Sequence, residues 1–333
     1  MLDRLATFLD AHGRILITSH ENPDGDGLGA AVGLFHYLTA RGKDVRIIVH
    51  PHVSADLAWL APEGVFESFE AAGRHRELEN WPDAWLLVDA SEPHRLGPLL
   101  QPFQRSAARK ACLDHHLKDA PKGFDEEFND SSASASAELV YDLAAGRLPR
   151  PWPLAMLEAL YAGVVADTGN FQFSNSTAKI HRLAADLIEQ GVQPARVYQR
   201  LYWQERPQKL RLFGRAFEGL EVREGGRYAR LTVTLADLAA CDASHDDLDR
   251  LVNKPLELKG VEVSVLLYET RDGLIKLGLR SRERVDVNAV ARGFGGGGHR
   301  LASGAKLAGP IGRAAELVDA AVADRLGADL AGP

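Results

Sequence analysis

One imidazole and two carboxylates lie within a single short stretch near the start of this 333-residue chain. Residues 20–27 read HENPDGDG and supply His20, Asp24 and Asp26. Imidazole and carboxylate groups are ligands for divalent cations, and a loop rich in Gly and Pro can direct three side chains at one point. Taken alone, the stretch is also compatible with a calcium-type loop or with an ordinary turn.

Three further polar clusters follow along the first half of the chain. They are Asp89 in VDA, Asp114, His115 and His116 in LDHH, and Asp167 in ADTGNF. Each has a structural alternative, because a lone Asp often caps a helix and a His pair can simply be solvated. Four such clusters together are poorly explained by capping. We therefore predict one two-metal site built from six residues: His20, Asp24, Asp26, Asp89, His115 and Asp167.

The clusters follow apolar runs that are typical of strands. The runs RILITS, VRIIVH, AWLLVDA and RKACLDHH alternate with helical patterns such as GAAVGLFHYLTARG. This alternation predicts an α/β domain with a mainly parallel sheet flanked by helices. Because sites in open α/β sheets form at the carboxyl ends of the strands, the polar clusters should meet at one edge.

The chemistry of such a site follows from its charges. Four carboxylates in one cleft repel each other unless cations neutralise them, and two divalent ions carry a matching charge. Paired ions can activate a water molecule and stabilise both the attacking and the leaving oxygen of a phosphoryl displacement. Oxygen and nitrogen ligands without thiolate fit Mn²⁺, Mg²⁺ or Co²⁺ better than structural zinc.

Charge and composition narrow the class of protein. The net charge of -7 argues against binding of long duplex nucleic acid. Residues 1–199 carry a net charge of -9 and residues 200–333 one of +2, so the second half is better suited to anions. Two cysteines and no apolar run of membrane-spanning length predict a cytoplasmic protein without membrane attachment.

The motifs HENPDGDG, VDA, LDHH and ADTGNF, in this order, resemble those of the DHH phosphoesterase superfamily. The later segment RSRERVDVNAVARGFGGGGHRLASGA resembles the Gly-rich signature of a DHHA1 domain. Chain length and this domain order resemble the nanoRNase and pAp phosphatase (NrnA-like) subfamily, in which a homodimer is expected. The stretch Leu117, Lys118, Asp119 departs from the family pattern after DHH, and no role is assigned to it.

The resemblance implies a role for each matching residue. One Mn²⁺ would be held by His20, Asp24 and Asp89, and the other by Asp26, Asp89, His115 and Asp167. His116 would contact the scissile phosphate, with Asp114 and Asn22 supporting the ligands and the substrate. In the second domain, the substrate-binding residues would be Arg280, Ser281, Gly296, Gly297, Gly298 and His299.

Two domains are predicted, with the active site in the cleft between them. Residues 1–189 form the DHH catalytic domain, residues 190–212 a partly helical linker, and residues 213–333 a smaller α+β DHHA1 domain with strands in RYARLTVTL, VEVSVLLYE and LIKLGLRS. Helices are expected near 245–252, 287–292 and 313–325. Taken alone, the Gly-rich segment would be interpreted as a mobile hairpin; its basic surroundings favour a substrate clamp.

The resemblance implies hydrolysis of oligoribonucleotides of about two to five nucleotides to 5'-mononucleotides, and dephosphorylation of 3'-phosphoadenosine 5'-phosphate (pAp) to AMP. A cyclic or linear dinucleotide phosphodiesterase, such as one acting on c-di-AMP or pApA, would share every metal ligand and remains open. A family II pyrophosphatase lacks support because no Arg-Lys-Lys signature of its second domain is present. A RecJ-type exonuclease would need a longer chain. A catalytically inactive nucleotide-binding protein is the alternative from another class.

Overall fold

A computed structural model describes residues 1–116 and 123–330, which divide into two compact units at Gln204 and Glu205. The division falls within the segment predicted as a linker, where two helices, α7 (Pro194–Tyr202) and α8 (Pro207–Glu218), belong to different units. Val197 and Leu201 of α7 are buried in the core of the first unit. Among the described residues, no helix is long and apolar enough to cross a lipid bilayer.

The first unit contains a six-stranded, fully parallel sheet with the strand order β3-β2-β1-β4-β5-β6. Its strands are β1 (Arg14–Ser19), β2 (Asp44–Val49), β3 (Phe66–Ser68), β4 (Ala84–Val88), β5 (Arg109–Asp114) and β6 (Glu126–Asn129). Its helices are α1 (Leu2–Asp10), α2 (Gly25–Thr39), α3 (Leu100–Arg105), α4 (Ser136–Ala145), α5 (Leu154–Asp167), α6 (Ala178–Glu189) and α7. Apolar side chains alternate between a large core on one sheet face and a smaller core on the other. This arrangement confirms the predicted α/β class.

Close packing of α2 against α5 fixes the loop that precedes α2. A Cβ at Gly29 would lie 2.4 Å from the carbonyl oxygen of Ala159, and one at Gly33 would lie 2.6 Å from a methyl carbon of Leu160. Real Cβ atoms are not found at such distances, so these two helices approach as closely as they do because glycine stands at both positions. The loop 20–24 is therefore held by the helix that follows it.

The second unit contains a mixed sheet with the order β11-β12-β10-β9-β8-β7, in which only the β8–β9 pair is parallel. Its strands are β7 (Glu221–Arg223), β8 (Tyr228–Val233), β9 (Val263–Glu269), β10 (Ile275–Ser281), β11 (Gly297–His299) and β12 (Ala302–Leu307). Its helices are α8, α9 (Leu235–Ala240), α10 (Val287–Gly293) and α11 (Ile311–Leu330). One face of the sheet packs against α10 and α11, and the other lies under α8, α9 and two 3-10 segments.

The helix predicted near 245–252 is not an α-helix. The chain forms two 3-10 segments there, His245–Leu248 and Leu251–Glu257, separated by Arg250 with a φ of +64°. A left-handed residue ends a right-handed helix, and Pro255 lies inside the second segment. The apolar spacing of this stretch fits a buried face in either type of helix, so the sequence predicts helical structure here but not its type or the break at Arg250.

Candidate metal centre and active site

The loop between β1 and α2 is held by the capping of α2. Asp24 is the residue before the helix, and its Oδ1 accepts hydrogen bonds from the backbone N–H groups of Asp26 (3.0 Å) and Gly27 (3.1 Å). Its Oδ2 lies 3.8 Å from Nε2 of His20, whose Nδ1 is 3.0 Å from the carbonyl oxygen of Glu21. The cap therefore orients the carboxylate, and the backbone contact orients the imidazole.

Asp26 lies in the first turn of α2 and is fully buried. Its two carboxylate oxygens accept hydrogen bonds from the backbone N–H groups of Ser136 (2.6 Å) and Ala137 (2.9 Å), at the N-terminus of α4. A helix N-terminus offers unpaired donors and favours negative charge. Asp26 is thus fixed by two elements that are more than 100 residues apart in the chain.

Asp89 lies at the centre of the cluster, directly after β4. Its side chain is 3% exposed and its φ is +60°, a conformation uncommon outside glycine that aims the residue into the site. Oδ2 is 3.6 Å from Nε2 of His20, and Oδ1 is 3.5 Å from Nε2 of His115. The hydroxyl of Ser136 donates to Oδ1 at 3.2 Å. One carboxylate therefore faces both imidazoles.

His115 directly follows β5, and its imidazole lies close to the carboxylates of Asp26, Asp89 and Asp167. Its Nδ1 is 3.3 Å from the carbonyl oxygen of Ala133, and its Nε2 lies 3.0 Å from Asp167, 3.5 Å from Asp89 and 3.8 Å from Asp26. This Nε2 is buried, and no described residue forms a hydrogen bond of acceptable geometry with it. A buried nitrogen that is surrounded by carboxylates but bonded to none of them fits a cation between these groups. The donor set suits a divalent ion.

His116 is oriented by its neighbour in the same motif. Its Nδ1 lies 2.8 Å from Oδ1 of Asp114, an oxygen that also accepts the backbone N–H groups of His115 (2.8 Å) and His116 (3.2 Å). Its ring centroid is 4.4 Å from that of His115. The hydrogen bond to Asp114 raises the pKa of His116, which favours a protonated ring that can donate to an anion.

Three overlapping groups in the first unit could each hold a metal ion. They are His20, Asp24, Asp89; Asp26, His115, Asp167; and Asp89, His115, His116, with the ligand atoms of each group within 4.8 Å of one another. All six residues predicted as metal ligands are therefore brought together. Asp89 and His115 each belong to two groups, so the cluster is continuous.

The carboxylates of the cluster carry more negative charge than its imidazoles balance. Burial, together with repulsion from Asp89 and Asp167, raises the pKa of Asp26 well above its usual value. Burial lowers the pKa of His20, but the adjacent Asp24 and Asp89 outweigh it and raise that pKa to about 10. Burial likewise opposes protonation of His115, and Asp167 and Asp89 raise its pKa to about 11. Bound cations would replace these protons and relieve the repulsion.

The residues predicted to bind substrate in the second unit divide into two sets. Arg280, Gly297 and His299 line one cavity of about 600 Å³. The side chain of Ser281 points to the opposite face of β10 and is 7% exposed. Gly296 and Gly298 do not line this cavity, and a Cβ at either would lie within 2.6 Å of a carbonyl oxygen of Gly304 or Ala302. Those two glycines allow the close approach of the segment to β12.

Two remaining assignments concern the rim of the metal centre. Asn22 is exposed, has a φ of +56° and donates its backbone N–H to the carbonyl oxygen of His50 at 2.9 Å. Leu117, Lys118 and Asp119, to which no role was assigned, lie outside the described residues.

Sequence reasoning missed Ser136 and Gly27. Ser136 contributes both a backbone N–H and a hydroxyl to the ligand carboxylates, yet it lies in a run of Ser and Ala without a motif. A Cβ at Gly27 would lie 2.2 Å from the hydroxyl of Ser19 and 3.4 Å from Oδ2 of Asp89. The available sequence signal is the second glycine of DGDG, and the close contact with Ser19 of β1 explains why a glycine is needed there.

Each of the two units matches the sequence model of a known domain family. The sequence model of the DHH family N-terminal domain matches residues 14–164, and that of the DHHA1 domain matches residues 232–325. The protein named bifunctional oligoribonuclease and PAP phosphatase NrnA from Thermus thermophilus is 31% identical over 89% of this chain and 85% of its own length. This chain belongs to the DHH family.

Other known proteins resemble this chain over most of its length. The Bacillus subtilis protein of the same name is 28% identical over 92% of this chain and 93% of its own length. A crystal structure of an exopolyphosphatase-related protein from Bacteroides fragilis superposes with a TM-score of 0.91 at 26% identity, over 98% of this chain and 96% of that one. The manganese-bound exonuclease RecJ, at 16% identity and a TM-score of 0.54, shares the fold. Membership confirms the predicted superfamily and indicates a phosphoesterase.

Proposed function

We propose that this protein is a metal-dependent phosphoesterase that hydrolyses very short oligoribonucleotides to 5'-mononucleotides and dephosphorylates pAp to AMP. The observation that carries the proposal is the continuous cluster of carboxylates and imidazoles around Asp89. Relatives named oligoribonuclease and PAP phosphatase at 28–31% identity over most of the chain support the substrate class. The acidic first unit also fits short substrates, because tracking a long strand needs a basic stripe.

The proposed ligand sets are those the sequence resemblance implied. His20, Asp24 and Asp89 would hold one ion, and Asp26, Asp89, His115 and Asp167 the other. The first set coincides with one ligand group in the structure, and the second contains another, to which it adds Asp89. Bound Mn²⁺, or Mg²⁺ or Co²⁺ in its place, would supply activation of a water molecule and charge stabilisation at the phosphoryl group.

The remaining side chains position the substrate. His116, held by Asp114, would donate a hydrogen bond to a phosphate oxygen. Asn22 would contribute a polar contact at the exposed rim. In the second unit, Arg280, Gly297 and His299 would bind the nucleotide within their shared cavity. Ser281, Gly296 and Gly298 would act on the substrate only indirectly, by supporting the strands that carry the first three.

A dinucleotide phosphodiesterase is the main alternative. A relative named cyclic-di-AMP phosphodiesterase GdpP from Geobacillus thermodenitrificans is 26% identical over 88% of this chain, and this chain spans 44% of that protein. Both activities would use the same ligands, so only substrate comparison separates them. A catalytically inactive nucleotide-binding protein is disfavoured because all six ligand positions carry ligating residues. The homodimer, the active site between the units and the cytoplasmic location stay predictions.

The deciding experiment is product analysis of the purified protein with Mn²⁺. The substrates are a 5'-phosphorylated RNA dinucleotide, pAp, linear and cyclic diadenylate, and an RNA of about 24 nucleotides. We expect mononucleotides from the dinucleotide, AMP from pAp, and loss of both activities in excess EDTA. Preference for cyclic diadenylate would establish the alternative, and preference for the long RNA would contradict the proposal.

A further inference from the structure

Asp167 is held differently from the other carboxylates of the metal centre. It is the last residue of α5, and its carboxylate lies 3.0 Å from Nε2 of His115. Among the described residues, no backbone N–H group donates to this carboxylate, whereas Asp24 and Asp26 each accept two such hydrogen bonds. The position of Asp167 therefore depends on the main chain that carries it, at the junction of a helix and an irregular loop.

The loop that follows α5 has an unusual backbone. Gly169, Asn170 and Phe171 have φ values of +56°, +58° and +62°, which makes three left-handed residues in succession. This conformation costs free energy at a bulky residue such as Phe171, so it persists only where surrounding contacts hold it. The hydroxyl of Thr168 accepts the backbone N–H of Phe171 at 3.1 Å, and the Phe171 ring stacks on that of His181. Such contacts hold the loop in one defined conformation.

The side chain of Asn175 joins this loop to the segment that precedes α4. Its Nδ2 donates to the carbonyl oxygen of Asp167 and to that of Ser134, each at 3.1 Å. The buried hydroxyl of Ser134 in turn donates to the carbonyl oxygen of Asn175 at 2.6 Å. These three hydrogen bonds, the Ser134–Asn175 clamp, link positions 41 residues apart, and one of them ends on the main chain of a predicted metal ligand.

The segment on the other side of the clamp orients the remaining ligands of the ion proposed at Asp167. Residues 133–137 supply the carbonyl oxygen that faces His115, the backbone N–H groups that bind Asp26 and the hydroxyl that donates to Asp89. The clamp therefore connects the main chain of one ligand to the segment that orients the other three. A change in the clamp would alter the spacing between them.

A charged contact joins the same two parts of the chain a second time. The backbone N–H of Ser134 donates to Oε2 of Glu138 at 2.6 Å, and Glu138 is 2% exposed. Its Oε1 lies 2.6 Å from Nζ of Lys179, in the first turn of α6. Since α6 begins directly after the loop, this ion pair supports the clamp from its far end.

We propose that Asn175 is a positioning residue for the ion at Asp167, because it fixes the main chain of that ligand relative to residues 133–137. Losing a contact that orients a metal ligand typically weakens metal binding by about 10- to 100-fold. The other ion should be affected far less, since neither His20 nor Asp24 hydrogen-bonds to either side of the clamp among the described residues. This inference rests on the proposed function and its two ligand sets, to which it adds a residue that serves one set.

Two substitutions open the clamp from its two sides. Asn175→Ala removes both donations from the amide, and Ser134→Ala removes the return hydrogen bond but leaves the amide in place. The matched control is Gln190→Ala, whose amide donates to Asp186 at 2.8 Å. The side-chain oxygens of Asn175 and Gln190 are both buried without a hydrogen-bond partner among the described residues, so the two amides have similar surroundings. Ser134→Ala carries the test if Asn175→Ala does not fold.

Binding of Mn²⁺ to the full chain is titrated by electron paramagnetic resonance of the free ion, with folding checked by circular dichroism. We expect the wild type and Gln190→Ala to bind two equivalents with the same affinities. Asn175→Ala should bind one of the two about 10- to 100-fold more weakly, with a smaller loss at the same equivalent in Ser134→Ala. Unchanged affinities in a folded Asn175→Ala protein, or equal weakening of both equivalents, would overturn the positioning role.

A double-mutant cycle shows whether Asn175 acts through Asp167. Asp167→Asn should weaken the same equivalent of Mn²⁺ that Asn175→Ala weakens. If the two residues act together, adding Asn175→Ala to Asp167→Asn should weaken that equivalent by at most about twofold more. A further loss as large as that of Asn175→Ala alone would mean that the two act independently, which contradicts the inference.

Turnover of pAp and of the RNA dinucleotide is measured on the same samples. Weaker binding of one equivalent in Asn175→Ala together with reduced turnover supports both the positioning role and the proposed function. The same selective weakening in a protein whose wild type turns over neither substrate would leave the positioning role and remove the proposed function. Wild-type turnover and wild-type affinities in Asn175→Ala would do the reverse, so the two failures are distinguishable.

Discussion

Replacing Asp89 by Asn removes one charge at the point where the ligand groups overlap. The carboxylate lies 3.6 Å from His20 and 3.5 Å from His115, and it belongs to two of the three groups. Asn has nearly the same shape and can still accept the hydrogen bond from the hydroxyl of Ser136. The substitution therefore changes the charge of the site and largely preserves its packing.

The size of the effect follows from the distance. Two unit charges 3.6 Å apart interact by about 4–5 kcal/mol at an effective dielectric constant of about 20. Losing that much stabilisation of a cationic centre in the transition state corresponds to a rate factor of about 10³. We therefore expect Asp89→Asn to lower turnover by about 10³-fold.

The assay measures turnover of pAp and of the RNA dinucleotide with Mn²⁺, alongside metal content by mass spectrometry and folding by circular dichroism. Asp83→Asn is the control, because it removes the same charge from an exposed pair with Arg14, and such pairs contribute only about 0–1 kcal/mol. We expect this control to retain wild-type turnover. A folded Asp89→Asn protein with turnover within tenfold of the wild type would refute the role of Asp89 as the shared ligand.

Three other changes test the centre and the fold. Gly27→Ala places a Cβ 2.2 Å from the hydroxyl of Ser19, so the ligand loop must move. A shift of about 1 Å in this loop should lower turnover by about 100-fold. Near-normal activity would show that a small movement of the Ser19 side chain is enough to remove the clash. Asp24→Asn and Asp26→Asn should each lose about one equivalent of Mn²⁺, with different residual affinities in a chelator titration, whereas identical titrations would contradict separate ligand sets. Burial lowers the pKa of His75 below 6.5, so the folded state binds this proton less well than the unfolded chain, and the free energy of unfolding should fall as the pH drops below about 6.5. Urea unfolding of His75→Gln should therefore show a flatter pH dependence than that of the wild type. An equal slope in the two proteins would argue against His75 as the cause.

The parallel arrangement of the strands and the edge at which the site forms were accessible from the sequence. Apolar runs separated by helical patterns predict a parallel sheet, and the carboxyl ends of β1, β4 and β5 bring their polar residues to one edge. The helix α5 also ends at Asp167, where the apolar helical pattern of ALYAGVVADTGNF gives way to Thr168 and Gly169. These predictions succeed because they depend on local periodicity and on one general rule of sheet topology.

Contacts that link distant segments were not accessible in this way. No local pattern indicates that the backbone N–H groups of Ser136 and Ala137 would bind Asp26, because their partners are 110 and 111 residues away. The same applies to the two 3-10 segments around Arg250, whose apolar spacing does not distinguish them from an α-helix. Such features depend on which surfaces the fold brings together.

The residue types and motifs alone predicted a cluster of potential metal ligands on an α/β domain, followed by an α+β domain whose charge is better suited to anions. Those properties follow from the chemistry of side chains and from short-range periodicity. The family resemblance implied that Asp89 is shared by two ligand sets, and the tertiary structure adds that Asp89 and His115 each belong to two ligand groups, which makes the cluster continuous. It also decided that Gly278, unremarkable in sequence, lies in one row with Gly304 and Gly297, because strand register is set by long-range pairing.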